Sequence, residues 1–467
     1  MLTPNFELKQ TDRHVILEIK APLANIARTE LVADDFNVFF SSPPYYLRLK
    51  LPGQVRESLT ESGTYDVDGG IFTFRLEKVI EGQDFEDLDL IGKFLFAHKK
   101  YQARPKIEVL DDVLPSSNSE SEDEDEEQFW IAQQTVPAES PLTTPGYGFA
   151  NKITGNGEAL REEFYEIIEL MDLEGTPVAE RRLRREREEL ARFSDDHYLA
   201  DFMEPSEINA IIEFKAPWEE LLDNKLECKL TQDETEYLKD LGNRDYLLDA
   251  QAAKSALLSL ADIVFAYAYN FRTFTGENTV ESAWTINKLS ATLSWFQTFE
   301  TAAEVKVACV RRSLIYPLYR HYALSMKVLE DTVKILKLGR RQILKCLIDV
   351  HKLFNASEPR YLLNQLYITD YCIWLQKVSD HKIESLVKRL EEAPLTKVDV
   401  RLDLEELERA ALMVLEEELE AVNAMLSNVS LKDDTSSELA SSSGTSDEDS
   451  SSDSDETSGS TVDSDDT

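Results

Sequence analysis

The chain has 467 residues, 42% of them hydrophobic and 9% aromatic, and a formal net charge of −39. That length favours two or three folded units, and the apolar fraction supplies a sizeable core, which excludes a wholly disordered chain. The acidity disfavours direct nucleic-acid binding, since phosphate backbones are held by lysine and arginine, and it favours a basic protein partner.

The charge is unevenly spread. Asp111 to Glu127 holds nine acidic and no basic residues, and Asp433 to Thr467 holds twelve and none. Residues 1–110 carry 14 basic against 17 acidic residues, near neutrality, whereas residues 151–431 carry 35 against 50, a net −15.

From the N-terminus, short runs rich in β-branched and aromatic residues read as strands: Phe6–Leu8, Val15–Ile19, Thr29–Val32, Phe36–Phe40, Tyr45–Leu51 and Ile71–Leu76. Tyr45, Leu47, Leu49 and Leu51 alternate, and Asp66-Val-Asp-Gly-Gly70 signals a turn before Ile71. About seven strands at this spacing predict a small antiparallel sandwich over residues 1–110. Residues 111–145 form an acidic, proline-containing linker that cannot bury a core. Within it the apolar triplet Phe129-Trp-Ile131 reads better as a segment docking back on a neighbouring domain than as a partner-binding motif.

Beyond Gly157 the period turns helical. Phe164, Ile167, Ile168 and Met171 step by three and four, and Pro177 opens the next helix. Leu257 to Phe271 is apolar nearly all round, which marks a central buried helix. The most apolar stretch, Leu257 to Tyr269, is interrupted by Asp262 and is too short to span a bilayer. Gly339 separates two helices, and Leu412, Leu415, Leu419, Val422 and Leu426 line one face beside the charged Glu416–Glu420. Residues 146–431 are thus expected to be all-α, and 432–467 a disordered Ser/Asp tail. The predicted architecture is multidomain: an all-β antiparallel sandwich, an acidic linker, a large all-α domain and an acidic tail.

Chemistry-bearing motifs are sparse. No glycine-rich phosphate loop ends in Gly-Lys-Ser/Thr, and Gly155-Asn-Gly157 lacks the strand and third glycine of a dinucleotide fingerprint. The six histidines and four cysteines are scattered, without zinc-ligand spacing or a disulfide framework. The cysteines fit reduced, buried thiols, and Met1-Leu-Thr-Pro4 has no signal-peptide character, so a soluble intracellular protein is expected. No cofactor, metal or catalytic residue is predicted. Arg181–Arg187 reads as a solvated helix face pairing with Glu180, Glu186, Glu188 and Glu189, in preference to a nuclear-import signal. Lys334, Lys337, Arg340, Arg341 and Lys345 also read as a solvated face. Ser119, Ser121, Ser446, Ser450, Ser452 and Ser460 each have an acid three residues on, making them candidate phosphoacceptors.

Seven ordered motifs carry a resemblance. They are DHYLADF (196–202), NRDYLLD (243–249), AYAYNFR (266–272), ESAWTI (281–286), LSATLSWF (289–296), RRSLIYPLYRH (311–321) and LYITDYCIWLQ (366–376). Together they closely resemble the SHQ family, assembly factors of H/ACA small nucleolar ribonucleoproteins. SPPYYLRLKLP (42–52) and FEDLDL (85–90) look like that family's CS domain, and YGFAN (147–151) like the start of its helical domain.

The resemblance implies a nuclear and partly cytoplasmic, non-enzymatic assembly chaperone, monomeric when free. Its partner would be a dyskerin-type pseudouridine synthase, held on its RNA-binding surface before guide RNA is loaded. Release would involve an AAA+ ATPase complex. The alternative is a general CS-domain adaptor that links a heat-shock chaperone or AAA+ ATPase to clients. Tyr267, Tyr269, Trp284, Trp295 and Trp374 read as core aromatics. The candidate partner contacts are Arg311, Arg312, Tyr316, Arg320 and Asp370, of which Arg311, Arg312, Arg320 and Asp370 read equally as buried ion-pair partners.

Overall fold

Alternation sets the first module. In the computed structural model, strand β2 (His14–Lys20) buries Val15, Leu17 and Ile19 and turns His14, Ile16 and Glu18 outward, as the two-residue period of a strand demands. It pairs antiparallel with β1 (Asn5–Gln10) on one side and β8 (Ile71–Lys78) on the other. Two short strands, β6 (Val55–Glu57) and β7 (Thr64–Asp66), also pair with β8. The opposing sheet is β3 (Glu30–Asp34), β4 (Asn37–Ser42) and β5 (Tyr45–Lys50). Phe40 of β4 meets Phe72 of β8 edge to face at 5.4 Å, closing the sandwich. The turn before β8 rests on Gly70, whose φ of +64° and close approach to Pro22 leave no room for a side chain. The predicted antiparallel sandwich is therefore present, with β6 and β7 added.

The structure describes residues 3–22, 24, 28–57, 63–66, 69–95, 145–154 and 161–434. The linker triplet Phe129–Ile131, Gly155–Gly157, the tail from residue 435 and the six candidate phosphoserines lie outside them.

The helices assemble around Ala250–Thr273, which is capped by Asp249 accepting from the Ala252 amide at 2.7 Å. The helix runs well past the apolar stretch read from the sequence, which corrects the expectation that it is too short to span a bilayer. Among the described residues it is long and apolar enough to cross a membrane, and 89% of its most apolar window is buried inside the fold. Ser282–Leu289, Ala302–Ser313 and Tyr322–Lys337 pack against it. Its one mid-helix carboxylate, Asp262, accepts from the Ser290 hydroxyl at 2.5 Å and the Thr292 amide at 2.8 Å, at the start of the Ala291–Trp295 helix. Gly339, at φ +80°, separates Tyr322–Lys337 from Arg340–Asn355 as expected.

Two helical readings need correction. The helix that holds Phe164 and Ile167 is Arg161–Ile167, so Met171 lies beyond it and is exposed; Glu169 there donates its amide to the Ser294 carbonyl at 2.8 Å instead of continuing the helix. Arg181–Arg187 is not wholly solvated: on the Val178–Arg192 helix, Arg181, Arg185 and Glu189 recur every fourth residue and are all buried. Arg182 and Arg184 on the outer faces do pair with Glu186 and Glu180, at 2.9 and 3.2 Å.

The chain divides into two units after Glu408. The described part of the second unit continues the Leu404–Asp434 helix, with Leu412, Met413, Val414, Leu419, Val422 and Met425 exposed.

Candidate interaction surface

Two buried glutamates organise three of the five predicted contact residues. Glu189 takes both Arg185 bonds of 2.6 and 2.7 Å, Arg311 Nε at 2.7 Å and an Arg312 nitrogen at 3.1 Å. Arg312 continues to Glu169 at 2.9 Å, and Glu169 also accepts from the Tyr316 hydroxyl at 2.6 Å and Trp295 Nε1 at 2.9 Å. The Arg312 guanidinium lies 4.4 Å from the centre of the Tyr316 ring. Arg311 reaches the Val400 and Glu186 carbonyls at 2.6 and 2.9 Å, tying three segments together.

Burial opposes charge on Glu169, but Arg312 and Lys288, with the Tyr316 and Trp295 bonds, outweigh it and hold the carboxyl at about 2. Glu189, fully enclosed, is likewise held below its ordinary range by Arg185, Arg312 and Arg311 against the cost of burial. These guanidinium groups are interior: Arg311 is 3% exposed and Arg312 not at all, so a partner does not reach them. They act within the fold.

Arg320 and Asp370 stand apart from that cluster and from each other. Arg320 belongs to the turn between the Ala302–Ser313 and Tyr322–Lys337 helices. Its amide donates to Asp201 at 2.5 Å and its Nε to the Pro317 carbonyl at 3.1 Å. Tyr269 holds the Tyr319 carbonyl at 2.5 Å, and Tyr319 reaches Glu207 at 3.2 Å. This pinned turn presents Leu318, which is 70% exposed.

Asp370 accepts from Arg244 at 2.7 Å and from the Tyr246 hydroxyl at 2.6 Å. Lys377 holds the Arg244 carbonyl and Asp245 at 3.1 and 2.7 Å, and Tyr246 meets Phe149 edge to face at 5.1 Å. This second loop presents Leu247, 93% exposed. The motifs at 196–202 and 311–321 thus build one station, and those at 243–249 and 366–376 another. Each is a rigid loop with a leucine in solvent. Sequence reasoning named neither leucine, because a single apolar letter in a motif carries no sign of its exposure.

The sandwich is joined to the helices through FEDLDL. Arg340 bonds Asp87 at 2.8 Å and Asp380 at 2.6 and 2.7 Å, while Arg341 grips both oxygens of Asp89 at 2.6 Å. Asp87 would be pushed up by burial, but Lys93 and Arg340 hold it low. Leu90 enters the helical core, whereas its neighbour Ile91 enters the sandwich core. The Gly92 amide donates to Gln376 Oε1 at 3.0 Å, an approach so close that a Cβ would lie 2.4 Å from that oxygen. Asn243 bonds the Leu95 carbonyl. The solvated-face reading is therefore wrong for Arg340 and Arg341, which are the docking residues of this joint.

All four cysteines are buried and free, and among the described residues no group of three or more His, Cys, Asp or Glu is placed to hold a metal. Trp295, Trp374, Tyr267 and Tyr269 are buried core residues as expected, and Trp284 is partly buried.

A CS-type sandwich carried on a large helical domain defines the class of two-module CS proteins. The family model for the SHQ1-like CS domain matches residues 3–95, and that for the Shq1 domain of SHQ1 protein matches 219–404. The mouse SHQ1 homolog is 41% identical over 436 residues, covering 90% of this chain and 76% of that protein. Fission-yeast shq1 is 32% identical over 453 residues, covering 90% and 100%, and the Caenorhabditis elegans homolog 33% over 432 residues, covering 88% and 96%. The chain belongs to the SHQ1 family.

Proposed function

We propose that this chain is an assembly chaperone for H/ACA small nucleolar ribonucleoproteins. In this reading it binds a dyskerin-type pseudouridine synthase on its RNA-binding surface before guide RNA is loaded, keeps it soluble and excludes wrong RNA, and works in the nucleus. The observation that carries the proposal is family membership across both modules, and the −15 of residues 151–431 agrees with it. A surface that takes the place of RNA on a basic protein has to be acidic. No catalytic role is assigned to any residue, and release by an AAA+ ATPase complex belongs to the same proposal.

The test is a binding titration of RNA-free synthase with the full chain and with Leu247→Ser/Leu318→Ser. Each change removes an exposed leucine without opening a cavity. Sub-micromolar binding by the full chain, weakened at least about tenfold by the double change, supports the proposal and places the contact at the two stations. No binding by the full chain removes the proposal. The adaptor alternative predicts that client engagement follows the sandwich. Deleting residues 1–110 is a poor probe of that, because it strips Arg340 of Asp87 and Gln376 of Gly92. Substitutions on the outward face of β5, such as Tyr46→Ser, disturb no joint residue and serve better.

A further inference from the structure

The second unit carries an apolar stripe. On the Leu404–Asp434 helix, Leu412, Leu415, Leu419 and Val422 are spaced three, four and three residues apart. At about 100° per residue they fall within roughly 80° of one another, the a and d seam of a coiled coil. Leu412, Leu419 and Val422 are exposed, at 51%, 61% and 53%, and Met425 beside them at 69%. An isolated helix that shows such a seam to water has an unfilled interface. Glu416 and Glu418 border the seam, with Glu417 and Glu420 behind them, and from Arg409 to Met425 the only basic residue is Arg409.

We infer that this stripe is a helix-in-groove ligand whose occupant is an apolar groove bordered by lysine and arginine on a basic protein partner. Charge decides between occupants. A second copy would bring two runs of four glutamates together with one arginine each to offset them, whereas a basic rim pairs with the glutamates while the leucines fill the groove. The twelve acids from Asp433 onward extend the same preference. The inference rests on the proposed synthase partner and adds a second, separate contact on it, beyond the helical domain.

The experiment uses the full chain, the full chain with Leu419→Gln/Val422→Gln, and a purified RNA-free dyskerin-type synthase. Glutamine keeps helix propensity and charge, and both side chains are in solvent, so circular dichroism and the melting transition should not change. The expected result is a loss of synthase affinity of at least about tenfold. A separate variant, Glu416→Gln/Glu418→Gln, should flatten the salt dependence of the association rate. Equal affinity of the full chain and the Leu419/Val422 variant overturns the inference and leaves the functional proposal standing. Binding by neither protein removes both. Sedimentation of the full chain as a dimer that the Leu419/Val422 variant splits also overturns it, because the occupant is then a second copy.

Discussion

Glu189 shows how much of this fold depends on single ionised groups. Three arginines converge on it in the interior, and Arg312 bridges onward to Glu169. Removing one partner of such a set leaves an uncompensated buried charge. Arg312→Ala should therefore destabilise the protein by about 3–5 kcal/mol. Arg320→Ala, whose side chain among the described residues bonds the Pro317 carbonyl and holds no buried carboxylate, should change it by less than about 1 kcal/mol. Denaturant midpoints of the two variants check the contrast, and equal effects would refute the assignment of Arg312 to the interior.

Protons report on the same scale. Burial pushes His351 down to about 4, and its ring contacts Tyr237 and Thr369 at 2.7 and 3.0 Å. Because the unfolded histidine takes up a proton first, stability should fall as pH drops from 6.5 towards 4. Glu169 adds a second loss as pH falls from 4.5 through about 2, since only the unfolded carboxyl protonates in that window. Unfolding midpoints measured from pH 7 to pH 3 test this. His351→Asn should reduce the slope between pH 6.5 and 4 and leave the one below, while His321, which burial also pushes down, keeps its share.

Little of this was legible from the chain. Arg181, Arg185 and Glu189 do repeat every fourth residue, but Arg182, Arg184, Glu186 and Glu188 between them are equally charged, so the inward stripe has no contrast. Arg311 and Arg312 stood out as motif residues, but letters alone do not distinguish an arginine that binds a partner from one that binds a buried glutamate.

At the scale of elements the sequence was more informative, because periodicity survives where one face is apolar. The alternation of β5 and the all-round apolar run within Ala250–Thr273 each predicted their element, whereas β6 and β7, at three residues each, are too short to show a period. The joint between the modules had no such signature. Asp87 and Asp89 sit about 250 residues before Arg340 and Arg341, and opposite charge does not say which partner each will find. Arg340→Ala/Arg341→Ala should raise amide hydrogen exchange over residues 85–95 by several-fold and leave exchange in Ala250–Thr273 unaltered. Unchanged protection at 85–95 would mean that Leu90 and Gly92 hold the joint alone.

For the whole molecule, the charge takes on meaning once it is divided. Most of the −39 lies outside the sandwich and helices, yet residues 151–431 keep a net −15, to which the glutamates beside the Leu412–Val422 seam contribute, as the proposed basic partner requires. The proposed custody of a pseudouridine synthase in place of RNA requires that the two occupants exclude each other. The most direct test is competition: labelled full chain bound to RNA-free synthase is titrated with an H/ACA guide RNA. The account predicts that RNA displaces the chain, with its apparent Kd rising in proportion to RNA concentration. A ternary complex in which chain and RNA bind together with unaltered affinities would contradict it.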